Sequence, residues 1–262
     1  MAKWNPAAAA VADVPRFVSV VKAATTCWHT DSGTGVVTSL LSAMPVLQQL
    51  QHSHWVLLMR SVLEQRSGEG FLRWVLQQQP GLQHMDASDL TALLVLAAKH
   101  RRSSAVAVLA GLRAAQYLNA AAWAEVLMAA ARAGEDAIPV LQDLPGVQQL
   151  GQGVVADALK TAVQHGGAAA TAAISLLPAA QQLEPSVVAD LLQTAAKQGA
   201  GSIKAILTLP AAQELQPVVL VQALHALVAA IRNQACYDKT QRERVIAFRE
   251  LCAHPLTQQV AA

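Results

Sequence analysis

The sequence, 262 residues long, predicts an all-α protein and, more narrowly, an α-solenoid of about seven antiparallel helix pairs. Three observations predict this fold: a period of roughly 33 residues, helical spacing of apolar residues within each period, and 25 glutamines against only 3 asparagines. Asparagine favours turns and caps, so its scarcity indicates a chain that is nearly all helix. A compact helical bundle is the alternative fold, but a bundle does not require a repeated register.

A Leu-Pro-Ala-Ala-Gln segment marks the period. It occurs at Leu177–Gln181 and again at Leu209–Gln213, with looser copies elsewhere. We call the position of its proline the anchor, and Arg113 takes this position in one copy. The first six anchors are 35, 33, 32, 33 and 32 residues apart, and a last step of 45 indicates an insertion. The anchors are Pro45, Pro80, Arg113, Pro145, Pro178, Pro210 and Pro255.

Three positions keep their residue type in all seven copies. Leu or Ile stands four residues before each anchor, Gln three residues after it, and Leu, Met or Val five residues after it. A register held through one whole chain indicates a repeat architecture. The repeated glutamines are Gln48, Gln83, Gln116, Gln148, Gln181, Gln213 and Gln258.

The rest of each repeat predicts two helices. Apolar residues stand 10, 14 and 17 residues after the anchor, as at Val155, Leu159 and Ala162, and this spacing puts them on one face of a helix, here called helix A. A Gly-rich or polar turn follows, as at Gly134. Helix B then ends near the next anchor, because proline disfavours helix in the residue before it. Neither helix can bury its apolar stripe alone, so neighbouring pairs are expected to stack.

These features divide the chain into three parts. Residues 1–15 form an N-terminal leader, and residues 16–216 form the repeat array, with a first helix A at about 16–28. Residues 217–262 form a C-terminal repeat with the insertion. We expect this last repeat to act as a cap, since terminal repeats need a polar outer face. A binding face at the insertion is the alternative, because insertions in repeat arrays often map to the binding face.

Composition narrows the class of protein. Apolar residues make up 53% of the chain and charged residues 14%, and the net charge of +2 is far from that of a dedicated nucleic-acid binder. No apolar run is long enough for a transmembrane helix.

The 3 scattered cysteines fit a reducing compartment. We expect an intracellular protein of the cytoplasm. The alternative is a mitochondrion or plastid, because Lys3, Arg16 and Lys22 face one acid, Asp13, near the N-terminus.

The repeated glutamines have two interpretations. As binding residues, seven amides at one height could read peptide backbones or base edges, since each amide offers two donors and an acceptor. As structural residues, they could satisfy the backbone groups left open at the helix ends beside each anchor. We favour the structural role, because helix ends recur in every copy.

Basic residues gather at the end of helix A, whereas acidic residues gather at its start. This arrangement complements the helix dipole. In a solenoid all A helices run the same way, so it also predicts one basic edge, which is the candidate partner-binding surface. For its densest run, Lys99-His100-Arg101-Arg102, we favour a solvated turn after helix A, and contact with phosphates or an acidic partner is the alternative. The basic edge consists of Arg66, Lys99, Arg101, Arg102, Arg132, Lys197 and Arg232.

The sequence shows no catalytic constellation. The Gly-rich segment Asp31–Gly35 lacks the lysine of a P-loop, and neither a Cys-x-x-Cys nor a His-Glu-x-x-His motif occurs. We therefore predict no enzyme activity, no cofactor and no metal site.

Part of the repeat resembles a known family. The segment Leu191–Leu207, with Ala195-Ala196-Lys197-Gln198-Gly199 at its turn, resembles the helical part of an ankyrin repeat. The likeness extends over most of residues 37–216, although no copy has that family's Thr-Pro-Leu-His start. More loosely, the chain resembles octotricopeptide-type arrays, and Leu176–Pro178 with Leu183–Ala189 is similar to the DNA-reading repeats of TAL effectors. These resemblances imply an array that binds a macromolecule along one face.

The expected function is a non-catalytic protein–protein interaction or scaffold module, as an accessory subunit of a larger assembly. The alternative is an RNA-binding helical-repeat protein of an organelle. The small positive charge argues against RNA, because phosphate contacts require Lys and Arg.

Overall fold

A computed structural model describes residues 51–64, 69–134, 136–165, 167–198, 200–232 and 239–253. Every regular element in these ranges is a helix: thirteen α-helices and five short 3-10 helices. The predicted all-α class is therefore confirmed for the described part of the chain. The chain divides into two units, residues 1–118 and 119–262, and the division falls between two repeats.

The first unit contains two described repeats. Helix A of each repeat packs against its own helix B, and each helix also packs against its equivalent in the other repeat. The short 3-10 helices that follow, η1 and η2, lie against each other. The elements are α1 (His52–Leu63), α2 (Glu69–Gln78), η1 (Pro80–His84), α3 (Ala87–Lys99), α4 (Ser103–Ala110) and η2 (Arg113–Tyr117).

The second unit contains four described repeats. Its elements are α5 (Ala120–Ala133), α6 (Ile138–Gln142), α7 (Pro145–Gln148), α8 (Gln152–Gln164), α9 (Ala168–Ser175), η3 (Ala180–Gln182), α10 (Pro185–Gln198), η4 (Ala200–Ser202), α11 (Ile203–Leu207), η5 (Pro210–Glu214), α12 (Pro217–Arg232) and α13 (Lys239–Ala253). The A helices α5, α8, α10 and α12 each contact the next, and so do the B helices α6, α9, α11 and α13. Each unit therefore has a row of A helices and a row of B helices.

The described repeats contain a third helical element that the predicted helix pairs did not include. A single helical turn follows each described anchor: η1, η2, α7 and η5 begin at the anchor itself, and η3 begins two residues after Pro178. Proline suits the first position of such a turn, because its fixed φ is helical and its missing N–H needs no partner. In all five turns the buried residue two after the anchor donates its N–H to the carbonyl just before the anchor, at 2.9 to 3.0 Å. The extended residue five after the anchor then ends the turn, as at Leu118 and Leu215.

The core follows the predicted register. Of the 18 predicted core positions in the six described A helices, all are buried except Leu224, which is half-buried. The residues four before and five after each described anchor are buried as well. Trp55 and Trp123, which stand ten residues after their anchors in the helix A register, are 2% and 4% exposed. The repeated apolar positions of the sequence are thus the positions that fill the interior of both units.

The insertion lengthens the last helix B. Helix α13 has 15 residues, whereas α9 has 8 and α11 has 5. Arg244 of α13 is buried, and its Nη1 donates a hydrogen bond to the carbonyl of Ala230 at 2.8 Å. Residues 233–238, within the insertion, lie outside the described residues, as do the predicted leader and the first helix A. Within the described ranges, none of the helices combines the length and apolarity needed to cross a membrane.

Candidate interaction surfaces

The basic residues of the predicted edge lie at the C-terminal ends of A helices. Lys99, Arg132 and Lys197 are exposed in the last turns of α3, α5 and α10. Arg232 is the last residue of α12, but its side chain and all of Arg66 lie outside the described residues. The last turn of α8 holds no basic residue. In the second unit the described basic residues therefore alternate with a neutral helix end.

Helix α3 ends in a turn that normally uses glycine. Arg101 has a φ of 59°, which is the left-handed region, and its N–H donates to the carbonyl of Ala98 at 3.0 Å. The N–H of Arg102 donates to the carbonyl of Ala97 at 2.9 Å. These two bonds form a Schellman motif, whose left-handed residue is usually glycine. In the sequence, the same position holds Gly134, Gly166 and Gly199 in later repeats, and Arg66 in an earlier one.

The three basic residues of this turn divide into two groups. Lys99 and Arg101 are exposed, whereas Arg102 is half-buried and its Nε atom is buried. Arg102 is also the residue that precedes the first turn of α4, where Ser103 and Ser104 follow it. The run that is one basic cluster in the sequence therefore has two exposed cations, Lys99 and Arg101.

Two of the repeated glutamines bond to the end of helix B. The Nε2 atom of Gln181 donates to the carbonyl of Ser175 at 2.6 Å, and that of Gln148 donates to the carbonyl of Gln142 at 3.3 Å. Both acceptors are the last residues of their B helices, six positions before the glutamine. Among the described residues, the side chains of Gln83, Gln116 and Gln213 form no such bond, and Gln48 and Gln258 lie outside the described part.

Exposed apolar side chains form a feature that the sequence reasoning did not identify. Tyr117 and Leu176, each close to an anchor, are 81% and 68% exposed. A second group lies on the last two helices, where Val245 and Phe248 of α13 are 47% and 39% exposed. The signal was available in the sequence, because these two residues are three apart in a helix that also carries many charges.

Potential metal ligands do not cluster in the described residues: no three or more His, Cys, Asp or Glu side chains come together there. His52 and His54, two residues apart, have different contacts. The Nε2 atom of His52 lies 3.9 Å from Oδ2 of Asp89, while Nδ1 of His54 accepts the N–H of Gln51 at 3.2 Å at the start of α1.

The comparisons with known proteins do not assign a family. No family model matches the sequence. Neither a curated protein nor a solved structure matches the chain.

Proposed function

We propose that this chain is a non-catalytic protein-interaction module whose seven repeats stack into one α-solenoid. The rows of A and B helices in the second unit support this arrangement, because each helix there contacts its equivalent in the next repeat. The anchor spacing supports its continuation from one unit to the other, since the 32-residue step from Arg113 to Pro145 is within one residue of the 33-residue steps before and after it. Seven stacked pairs, at about 8–10 Å each, should span on the order of 60–70 Å in small-angle scattering.

The proposed binding function rests on the turn at the end of α3. Arg101 stands where three later repeats have glycine, in a conformation that costs an L-residue roughly 1–2 kcal/mol. A strained residue at the surface is a functional candidate when the structure around it fixes its conformation. Here the strain presents Arg101 beside Lys99, and both cations are exposed. We propose that they dock the acidic surface of a protein partner, as part of an intracellular assembly in which this chain is an accessory subunit.

A capture experiment tests this role. The full chain and a Lys99→Gln/Arg101→Gly variant are immobilised and exposed to a native extract, with and without nuclease treatment. Arg101→Gly keeps the turn, because glycine adopts the left-handed region without strain. The control is Arg113→Gln, which removes an exposed cation in the same unit away from the helix A ends. We expect a protein that is retained after nuclease treatment by the wild type and the control, and lost by the double variant.

RNA binding is the second candidate function, and the same two exposed cations favour it. Phosphate contacts come from Lys and Arg side chains, and Lys99 and Arg101 lie on one turn. Retention of the partner only in extract that has not been treated with nuclease would favour RNA over protein.

A further inference from the structure

Two serines directly follow the basic turn at the end of α3. Ser103 and Ser104 are the first two residues of α4, and Arg101 and Arg102 precede them. In the whole sequence, Ser104 is the only serine or threonine with arginine both two and three residues before it. Protein kinases select their substrates partly by such charge patterns. The sequence around Ser104 therefore has the character of a substrate for a kinase that recognises arginine.

The next repeat has carboxylates where this repeat has serines. Ser103 and Ser104 stand ten and nine residues before their next anchor, and Glu135 and Asp136 stand at the same two positions of the following repeat. Asp136 is exposed, so the repeat accommodates a negative charge close to the start of helix B. A phosphoserine carries a charge of about −1.5 to −2 at pH 7. Phosphorylation would thus give this repeat the acidic character that the next one has permanently.

The hydroxyl of Ser104 is free to react. Ser104 is half-buried, and within the described part of the chain its hydroxyl has no hydrogen-bond partner, whereas those of Thr91 and Thr171 donate to carbonyls four residues earlier. Helix α4 is 8 residues long and begins without a side-chain cap. The N–H groups of its first turn lack partners within the helix, so this turn opens at a low cost in free energy and exposes Ser104 to a kinase.

We propose that Ser104 is a phosphorylation site that switches off the docking of an acidic partner by Lys99 and Arg101. This inference rests on the proposed function of those two cations. In the reaction, Oγ of Ser104 attacks the γ-phosphorus of ATP, and the bond between that phosphorus and the β–γ bridging oxygen breaks. ADP leaves with the bridging oxygen, and the hydroxyl proton passes to the catalytic carboxylate of the kinase.

The charge of the phosphate offsets that of the two exposed cations. Three residues of chain from Arg101 to Ser104 span at most about 11 Å between Cα atoms. The actual separation is shorter, because Arg101 is in the left-handed region rather than extended. Charges at this separation interact, since the Debye length is about 8–10 Å at physiological salt. The phosphate therefore brings the net charge of the turn close to zero and removes its attraction for an acidic surface.

Treating the full chain with MgATP and an arginine-directed serine kinase tests the site. We expect one phosphate per chain, which mass spectrometry locates on Ser104. Ser104→Ala should remove it, and Arg101→Gly should slow its transfer severalfold. The matched control is Ser186, which is exposed and is the second residue of α10, as Ser104 is of α4, but which follows Glu184. Ser186→Ala should leave the amount of phosphate unchanged. A chain that accepts no phosphate, or accepts it on Ser186 as fast as on Ser104, would overturn the proposal.

Binding of a fluorescently labelled octaglutamate peptide, a stand-in for an acidic partner, measures the effect of the phosphate. The phosphorylated chain should bind this peptide roughly tenfold more weakly than the unmodified chain, because two exposed ion pairs are lost. Lys99→Gln/Arg101→Gly should bind it as weakly with the phosphate as without. If this double variant binds the peptide as tightly as the wild type, the proposed docking function is wrong, and the switch with it. If the double variant binds weakly but phosphorylation of the wild type changes nothing, only the switch is wrong.

Discussion

Gly146 packs directly against the indole ring of Trp123. A Cβ atom built on Gly146 would overlap the indole Nε1 and Cδ1 atoms. Trp123 stands ten residues after its anchor in α5, and Gly146 follows the anchor that closes the same repeat. In three other repeats a smaller apolar residue stands ten residues after the anchor, and an alanine directly follows the next anchor. These pairs are Leu90 with Ala114, Val155 with Ala179, and Val188 with Ala211. In this repeat the two residues therefore share one volume between helix A and the anchor turn.

Gly146→Ala should destabilise the chain by about 1–3 kcal/mol, because the added methyl group overpacks the site beside the indole. The same change in a Trp123→Leu background should be tolerated better, since that combination restores the pair found at Leu90 and Ala114. Urea unfolding of the four proteins of this double-mutant cycle measures the coupling.

Gly153→Ala is the control for the glycine change itself. Gly153 lies in α8, and a Cβ built there meets nothing within 4 Å. The change should stabilise by about 0.5–1 kcal/mol through helix propensity alone. Equal effects of Gly146→Ala and Gly153→Ala would contradict the volume pairing.

A buried hydroxyl pair joins two neighbouring repeats. Thr171 Oγ1 lies 3.0 Å from Ser202 Oγ, and both residues are 0% exposed. Thr171 also donates to the carbonyl of Gly167 at 2.8 Å, so its single hydrogen is used and Ser202 is the donor of the pair. Thr171→Val should cost about 1–3 kcal/mol because it leaves the Ser202 donor unpaired in the core. Ser202→Ala should cost less, and adding it to Thr171→Val should cost nothing further or restore stability. Additive losses in chemical unfolding would refute this donor assignment.

The glutamine bonds predict a graded series of stabilities. Gln181→Ala should destabilise most, by about 0.5–1.5 kcal/mol, because it removes the 2.6 Å bond to Ser175. Gln148→Ala removes a 3.3 Å bond and should cost less, and Gln213→Ala should cost least. The losses are expected to be modest because all three side chains are exposed. Thermal unfolding measures the order. Unchanged stability for Gln181→Ala together with lost partner binding would reassign the glutamines to binding.

The register predicted the core, but the sequence did not predict the anchor turns or the strained backbone of Arg101. Leu94 and Leu159 are buried as predicted, because each belongs to a four-and-three pattern that only a helix face satisfies. The anchor turn is one turn long, so no periodicity marks it as helical. The sequence pairs Trp55 with Gly81 as it pairs Trp123 with Gly146, yet a Cβ at Gly81 meets nothing within 4 Å. Whether the Trp and the Gly of such a pair contact each other depends on the geometry of the structure, and the sequence alone does not show it.

Arg101→Gly should stabilise the chain by about 1 kcal/mol, because glycine adopts the left-handed conformation without the steric penalty. The matched variant is Arg101→Ala, which removes the same charge but keeps a Cβ at the strained position. It should therefore gain no such stability. If both variants lose partner affinity equally while only Arg101→Gly gains stability, then the strain serves to present the charge. Equal stability of the two variants would show that φ at this position carries no cost.

Salt dependence separates a protein partner from RNA at Lys99 and Arg101. If the turn binds phosphates, affinity for a single-stranded RNA probe must fall log-linearly with salt, and Lys99→Gln/Arg101→Gly should flatten the slope by about 0.7 per lost contact. If the turn docks a protein, the same double variant should mainly slow association, because exposed charges at an interface act on the encounter rate.

We expect the second result, since Arg102 is half-buried, α8 ends without a base, and two cations do not form a phosphate-binding stripe. Fluorescence anisotropy with the RNA probe makes the measurement, with Arg113→Gln as the control. Binding to RNA tighter than about micromolar at physiological salt, lost in the double variant and kept in the control, would establish RNA as the partner.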